Sequence, residues 1–402
     1  MPNFNRLGKV TPMEILLLEP YFTGSHAAWA NDYARHSQHE IKILKMRGHF
    51  WKWRMHGGAV TLAKKFLASG FKPDLLLATD MLDLTTFLAL TRFHTAPLPA
   101  AIYFHENQLS YPWSPQDRDV TQKRDKHYGF INYASALAAE AVFFNSQYHR
   151  DSFLGELPRL LKHFPDYNEL DSVDYIAAKS SILPLGLDLE PFDIYNPTAA
   201  TPLEKSEPSS KAAGPANNWQ TPLILWNHRW EYDKNPELFF RALVILADQG
   251  LDFEVAILGK NFGQQPEAFK QARQELGKRV IQFGYVEDFA TYAAWLWRAD
   301  LLPVTSNQEF FGASLMQALY CNCYPLLPKR LAYPELIPAD RQADYFYDDL
   351  KDLVERLAVA IQNINSIRQQ SLRPGAAQYR WELMAPRYDE AFKKIAAAAS
   401  LA

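Results

Sequence analysis

Short continuous apolar runs, separated by stretches of helical spacing, organise this chain. "MEILLLEP", "DLLLAT", "AAIYFH" and "AVFFNS" in the first half, and "PLILWNH", "FEVAILG", "RVIQFGY" and "ADLLPVT" in the second, each end in polar or turn residues. Runs of this length without alternation predict strands buried on both faces, as in a parallel sheet covered by helices. The pattern therefore predicts an α/β protein made of two successive β/α units of similar length. Between them Asn196 to Gln220 is rich in Pro, Ser and Ala and nearly free of large apolar residues, which predicts a flexible linker. The expected layout is a first domain over 13–195, a linker over 196–220, a second domain over 221–374 and a helical segment over 375–402 that crosses back to the first domain. Pro386 is expected to kink or interrupt that last segment.

A length of 402 residues suits two domains. The chain is 48% hydrophobic and 22% charged, enough apolar material for two cores. No apolar run approaches the roughly 20 residues of a membrane helix, and "MPNFNRLGKVTP" lacks the apolar stretch of a signal peptide. The expectation is a cytoplasmic protein without integral membrane association. Cys321 and Cys323 are separated by one residue in what reads as a strand, so their side chains are expected on opposite faces. No further Cys or His stands in that segment, and buried thiols are expected rather than metal ligands or a disulfide. The net charge of -3 gives no global basic footprint for nucleic acid. From Ile41 to Pro73, however, the chain carries Lys42, Lys45, Arg47, Lys52, Arg54, Lys64, Lys65 and Lys72 and no acid.

Ligands of open parallel sheets bind beyond the carboxyl ends of the strands, so the residues just after each strand hold the candidate chemistry. After the first strand, Gly24 allows close backbone approach and Ser25 is placed to cap the following helix, leaving amides for an anion or a sugar hydroxyl. After "AAIYF" stand His105, Glu106, Asn107 and Gln108, four consecutive hydrogen-bonding side chains that suit a polyhydroxylated ligand. In the second half Arg229 and Lys234 can converge on one diphosphate. "TSNQEFFGASLMQALY" places Glu309 beside Phe310 and Phe311, with Gly312 before an amphipathic helix whose Gln317 shares a face with Ala313 and Ser314. The helix N-terminus favours a phosphate, and a poorly hydrated Glu309 is expected to be compensated by sugar hydroxyls. "DRD" at Asp117 to Asp119 has the spacing of paired metal-binding acids but lies in a charged run, and no metal is expected there. There is no Walker phosphate loop and no GxGxxG, which removes the anchor for kinase and dehydrogenase readings.

An acid, then Phe-Gly, then a polar residue eight positions after the acid resembles the donor-site motif of glycosyltransferase family 4. "PLGLD", "FGYVEDFATYAAWLWRADLLPVTS" and "YRWELMAPRY" extend the resemblance over nearly the whole chain. It implies a GT-B fold, two Rossmann-like domains facing a central cleft, with a nucleotide-sugar held mainly by the second. It also implies retention of configuration without a metal. Arg229 and Lys234 would hold the diphosphate, Glu309 and His105 the sugar, and Gly24, Ser25, Phe310, Phe311, Gly312 and Gln317 would complete the donor site. Gln317 departs from the family, which usually has Glu there to meet the ribose. "GSH", "FWKWRM", "HENQLSYP" and "FFNSQYHRDSF" resemble the narrower group of tRNA-queuosine alpha-mannosyltransferases, which implies GDP-mannose as donor and the queuosine of a tRNA as acceptor.

In "FWKWRM" Trp51 and Trp53 alternate with Lys52 and Arg54, a period of two expected on a strand or extended loop. Such a segment could stack unpaired bases and meet phosphates. With Glu106, Asn107 and Gln108 it is the expected acceptor surface. Two alternatives stay open: a family 4 enzyme acting on a lipid or oligosaccharide at a membrane surface, and a non-catalytic RNA or nucleotide-sugar binding protein.

Overall fold

The structure, a computed structural model, describes residues 12–114, 117–121, 126–197, 220–259 and 267–399. Most of the expected linker, residues 198–219, lies outside the described residues. The chain divides into two compact units, Met1–Tyr111, Pro115–Gly186 and Trp381–Ala402 in the first, and Pro112–Ser114 and Leu187–Arg380 in the second.

The first unit contains β1 (Glu14–Phe22), β2 (Glu40–Arg47), β3 (Leu75–Thr79), β4 (Ala100–Phe104), β5 (Ala141–Phe144) and β6 (Ser180–Ile182). They form one parallel sheet in the order β2-β1-β3-β4-β5-β6. Every residue of β3 and β4 is buried, as their unbroken apolar runs require. On one face Leu16, Leu18, Leu76, Ile102 and Phe144 join Leu62 and Phe66 in a single core.

Two helices matter for the site. α1 (Gly24–His36) follows β1, and α2 (Trp51–Ser69) follows β2. The extended segment expected at "FWKWRM" is therefore the first turns of α2. Its period of two lasts only six residues, whereas the buried Met55, Gly58, Ala59, Leu62, Ala63 and Phe66 recur at helical spacing and decide the conformation.

The helix Trp381–Ala399 belongs to the first unit and runs through Pro386 without interruption. Tyr33, Ser37 and the amide of Gln38 all donate to Asp389. Trp381 lies so close to Gly186 that a Cβ there would sit 2.4 Å from the indole.

The second unit contains β7 (Leu223–Trp226), β8 (Glu254–Ile257), β9 (Val280–Phe283), β10 (Leu301–Pro303), β11 (Tyr324–Pro328) and β12 (Phe346–Tyr347). These are parallel, in the order β12-β11-β10-β7-β8-β9. The unit begins at Leu187, earlier than residue 196, because Phe192 packs on Phe289 and accepts a hydrogen bond from Trp297 Nε1 at 2.7 Å. It ends at Arg380, six residues beyond the boundary expected at 374. Cys321 and Cys323 are buried free thiols, but they flank the turn before β11 instead of lying in a strand. Among the described residues no helix is long and apolar enough to cross a membrane.

Candidate functional site

Each strand order reverses direction once, and a parallel sheet opens a crevice at that point. In the second unit the reversal falls between β7 and β10, so the loops after these two strands meet there. Trp226 ends β7 and donates through Nε1 to the His228 carbonyl at 2.9 Å, which bends the chain into the loop carrying Arg229 and Lys234. A Cβ at Gly259 would come within 1.6 Å of the same carbonyl, so a glycine is needed where the chain leaves β8.

Lys234 is buried, and its ammonium reaches Gln308 O at 2.9 Å, Asp233 Oδ2 at 3.2 Å and Glu309 Oε2 at 3.3 Å. Burial alone would lower its pKa, but the charges of Glu309 and Asp233 outweigh burial and raise it. Glu309 is thus compensated by Lys234 as well as by the Phe311 amide at 3.4 Å, a partner that the expectation of hydroxyl donors alone had left out. Phe310 and Phe311 are buried beneath it. Gly312 has φ +98° and starts the helix Ala313–Tyr320. Arg229 differs in kind: its side chain is 46% exposed and lies 3.4 Å from Glu231.

Gln317 accepts a hydrogen bond from the Tyr292 hydroxyl at 2.9 Å through Oε1, which turns its NH2 group the other way. Ser314 meets His228 Nδ1 at 3.1 Å, and its carbonyl accepts from Asn227 Nδ2 at 2.9 Å. Burial, with the nearby Lys234 charge, drives the His228 pKa down to about 3, so this imidazole is neutral. Tyr292, Asn227 and His228 carried no motif, although "WNH" at the end of an apolar run marks the position.

In the first unit the reversal lies between β1 and β3. β1 delivers Glu19, β3 is followed by Asp80, β4 by His105, and α1 presents His26 in its first turn. Glu19 is fully buried; it accepts from the Tyr21 amide at 2.7 Å and pairs with His26 Nδ1 at 3.0 Å. Burial would lower the His26 pKa, but the Glu19 carboxylate overrides that and holds it at about 9, so His26 is an imidazolium at neutral pH. Its ring lies 4.3 Å from that of His105. Burial and the His26 charge keep His105 neutral, with its pKa well below the usual value. Asp80 is pushed up by burial to about 8, against the opposing His26 charge, and accepts the His105 amide at 2.8 Å. Glu19, His26 and His105 place ligand atoms within 4.8 Å of one another, the one such trio among the described residues. The hydrogen bond between Glu19 and His26 joins two of the three, and His105 Nε2 makes no hydrogen bond among the described residues.

Other expected residues fall differently. Gly24 has φ +50° and open space where a Cβ would stand. Ser25 is not the cap expected, since the helix starts at Gly24 with Thr23 before it, and Ser25 lies exposed in the first turn. Asn107 is fully buried; its side-chain carbonyl accepts from the amides of Leu109 and Ser110, and its Nδ2 makes no hydrogen bond among the described residues. Gln108 donates to Glu106 at 3.0 Å. Lys52 is clasped by Asp117 at 2.6 Å and Asp119 at 2.5 Å, which gives the "DRD" acids a lysine partner. Trp51 packs on Tyr128 at 5.0 Å, and Arg54 donates to the Arg47 carbonyl at 3.0 Å.

Residues 14–187 match the family model described as "tRNA-queuosine alpha-mannosyltransferase N-terminal", and residues 221–364 match "Glycosyl transferases group 1". A tRNA-queuosine alpha-mannosyltransferase of Drosophila melanogaster is 33% identical over 327 residues, 81% of this chain and 82% of the relative. The chain belongs to the tRNA-queuosine alpha-mannosyltransferase family. It is a glycosyltransferase, and the two matched segments fall on the two units in order. Among solved structures, sucrose-phosphate synthase from Thermosynechococcus elongatus is similar with a TM-score of 0.67 and 13% identity, covering 96% of this chain and 100% of that one. Anabaena Alr3699/HepE in complex with UDP and glucose is similar with a TM-score of 0.64 and 14% identity, covering 95% of this chain and 100% of that one. These two likenesses carry the fold alone, which is GT-B.

Proposed function

We propose that this glycosyltransferase moves mannose from GDP-mannose to the queuosine of a tRNA, with retention of configuration and without a metal, in the cytoplasm. The observation that carries the substrate is the 33% identity to the Drosophila melanogaster enzyme across 81% of the chain. The donor chemistry is supported by the pairing of buried Lys234 with half-buried Glu309 at the β7/β10 reversal, with Arg229 more exposed in the same loop.

An ammonium has three protons, and those of Lys234 face Gln308, Asp233 and Glu309. Lys234 therefore meets a diphosphate oxygen by releasing one partner. Glu309, with 20% of its side chain exposed against none for Asp233, is the one free to turn toward sugar hydroxyls. Arg229 adds a planar fork that matches phosphate oxygens. Together they stabilise the negative charge that grows as the diphosphate leaves. The acceptor hydroxyl attacks on the face the diphosphate vacates. Its proton passes to a diphosphate oxygen, so no protein base is required. In the first unit Glu106 and Gln108 supply hydrogen bonds to the acceptor.

The donor half is tested by offering the protein GDP-mannose, UDP-glucose and UDP-galactose in turn with queuosine-containing tRNA and excess chelator. GDP released only in the presence of that tRNA supports the proposal. Faster turnover of a UDP-sugar would overturn the donor assignment.

A further inference from the structure

α2 turns outward a pair of aromatic side chains that the first unit does not use. Phe50, immediately before the helix, is 80% exposed and has φ +54°, a left-handed conformation that a bulky residue adopts only at a cost. Trp53 is 63% exposed. One side of its indole rests on Gly57, where a Cβ would meet the ring at 2.8 Å, so the glycine provides a seat and leaves the opposite side of the ring open. An exposed phenylalanine in a left-handed conformation and, three residues on, an exposed indole held by its own helix add nothing to the core.

The surroundings indicate what would cover them. Of the eight cations between Ile41 and Pro73, Lys52 is paired with Asp117 and Asp119. Lys42, Lys45, Arg47, Arg54, Lys64, Lys65 and Lys72 form no ion pair with any carboxylate among the described residues. Lys65 donates to the Lys45 carbonyl and Lys45 lies over the Phe22 ring; Lys42, Lys45 and Arg47 stand on β2, Arg54, Lys64 and Lys65 on α2, and Lys72 in the loop after it. The connection between β2 and α2 also abuts the site loop: a Cβ at Gly48 would lie 2.2 Å from Thr23 Cγ2, one residue before Gly24.

We infer that Phe50 and Trp53 form a stacking platform for unpaired bases of a single-stranded RNA segment, held beside the acceptor site by the uncompensated cations of β2 and α2. This rests on the tRNA reading above and deepens it. Aromatic faces accept any base and cations follow the backbone, and the contact of Gly48 with Thr23 sets this surface against the loop after β1, at the β1/β3 crevice of the first unit. Trp51 and Lys52 take no part, being turned onto Tyr128 and the two aspartates.

The test compares the full chain with Phe50→Ala, Trp53→Ala and Gly57→Ala, the last displacing the indole without touching the core. Each alanine at an aromatic position is expected to raise the Kd for queuosine-containing tRNA about 5-fold or more, as loss of one stacked base does. Gly57→Ala is expected to act in the same direction, and affinity for GDP-mannose is expected to stay unchanged in all three. The tRNA-induced fluorescence change of the wild type should shrink in Trp53→Phe. Unaltered tRNA affinity in both aromatic variants, with wild-type transfer intact, would overturn the platform and leave the proposed function standing. Absence of transfer to tRNA by the wild type, with binding to phosphatidylglycerol vesicles that Phe50→Ala and Trp53→Ala abolish, would overturn both and assign the surface to a membrane.

Discussion

Replacing Arg229 by alanine separates the chemistry of the donor site from its architecture. The side chain is 46% exposed and its partner Glu231 lies at 3.4 Å, so its loss should cost the fold only about 0 to 1 kcal/mol, the range of solvent-exposed ion pairs. On the proposed reaction the same guanidinium faces charge developing on the leaving diphosphate. Removing one such donor costs about 2.7 to 4 kcal/mol, or about 100- to 1,000-fold in turnover. Lys234→Ala is a different experiment. It takes a cation away from the fully buried Asp233 carboxylate and frees Glu309, and breaking a buried pair costs about 3 to 5 kcal/mol of stability. The assay is GDP release at saturating donor and acceptor, with thermal unfolding of each variant alongside. Arg229→Ala should lose turnover at an unchanged melting temperature, and Lys234→Ala should lose both. Arg229→Ala within threefold of wild-type turnover would refute the diphosphate assignment for that residue.

Gln317→Glu should tighten GDP binding about fivefold, because Tyr292 keeps one oxygen and the second becomes a charged acceptor for ribose hydroxyls, measured by calorimetry. Weaker or equal binding would place Gln317 away from the ribose. Activity should persist after exhaustive chelation of divalent metals, since Arg229 and Lys234 are proposed to face the diphosphate; loss restored by manganese or magnesium would contradict this. His26 keeps its proton up to about pH 9 in the folded unit and loses it near pH 6.5 when unfolded. The stability from its pairing with Glu19 is thus fully present below pH 6.5 and lost as pH rises toward 9, while Asp80, raised by burial to about 8, adds a loss of the same sign at lower pH. Hydrogen exchange of β1 and β4 amides should speed up over that interval in the wild type, and His26→Gln should flatten the part above pH 6.5.

The strands that could be read directly are those buried on both faces, such as β3 and β4, because an unbroken apolar run has no other stable place. β2 escaped because Lys42 and Lys45 alternate with Ile and Leu in a strand at the sheet's edge, and it read as a basic patch. β6 and β12 have three and two residues, too few to show a pattern. The loop that carries Glu309 and Gly312 into the helix Ala313–Tyr320 could be read because its acid, glycine and helix are adjacent in sequence. Glu19, His26, Asp80 and His105 were only partly so. They come from separate strands and helices, and burial beside one another, which sets their protonation, exists only after folding. Asn107 is divided: the turn amides claim its carbonyl oxygen, while its Nδ2 is buried with no hydrogen bond among the described residues, an arrangement that exists only after folding.

The central claim is the transfer itself, and nucleoside mass spectrometry measures it most directly. Purified protein, GDP-mannose and tRNA carrying queuosine are combined, and the tRNA is then digested to nucleosides. A new nucleoside heavier than queuosine by one hexose, absent when the same tRNA carries guanosine at that position, is the predicted result. Unmodified queuosine with GDP-mannose and with every other nucleotide-sugar tried would contradict the account, leaving a GT-B glycosyltransferase with a different acceptor.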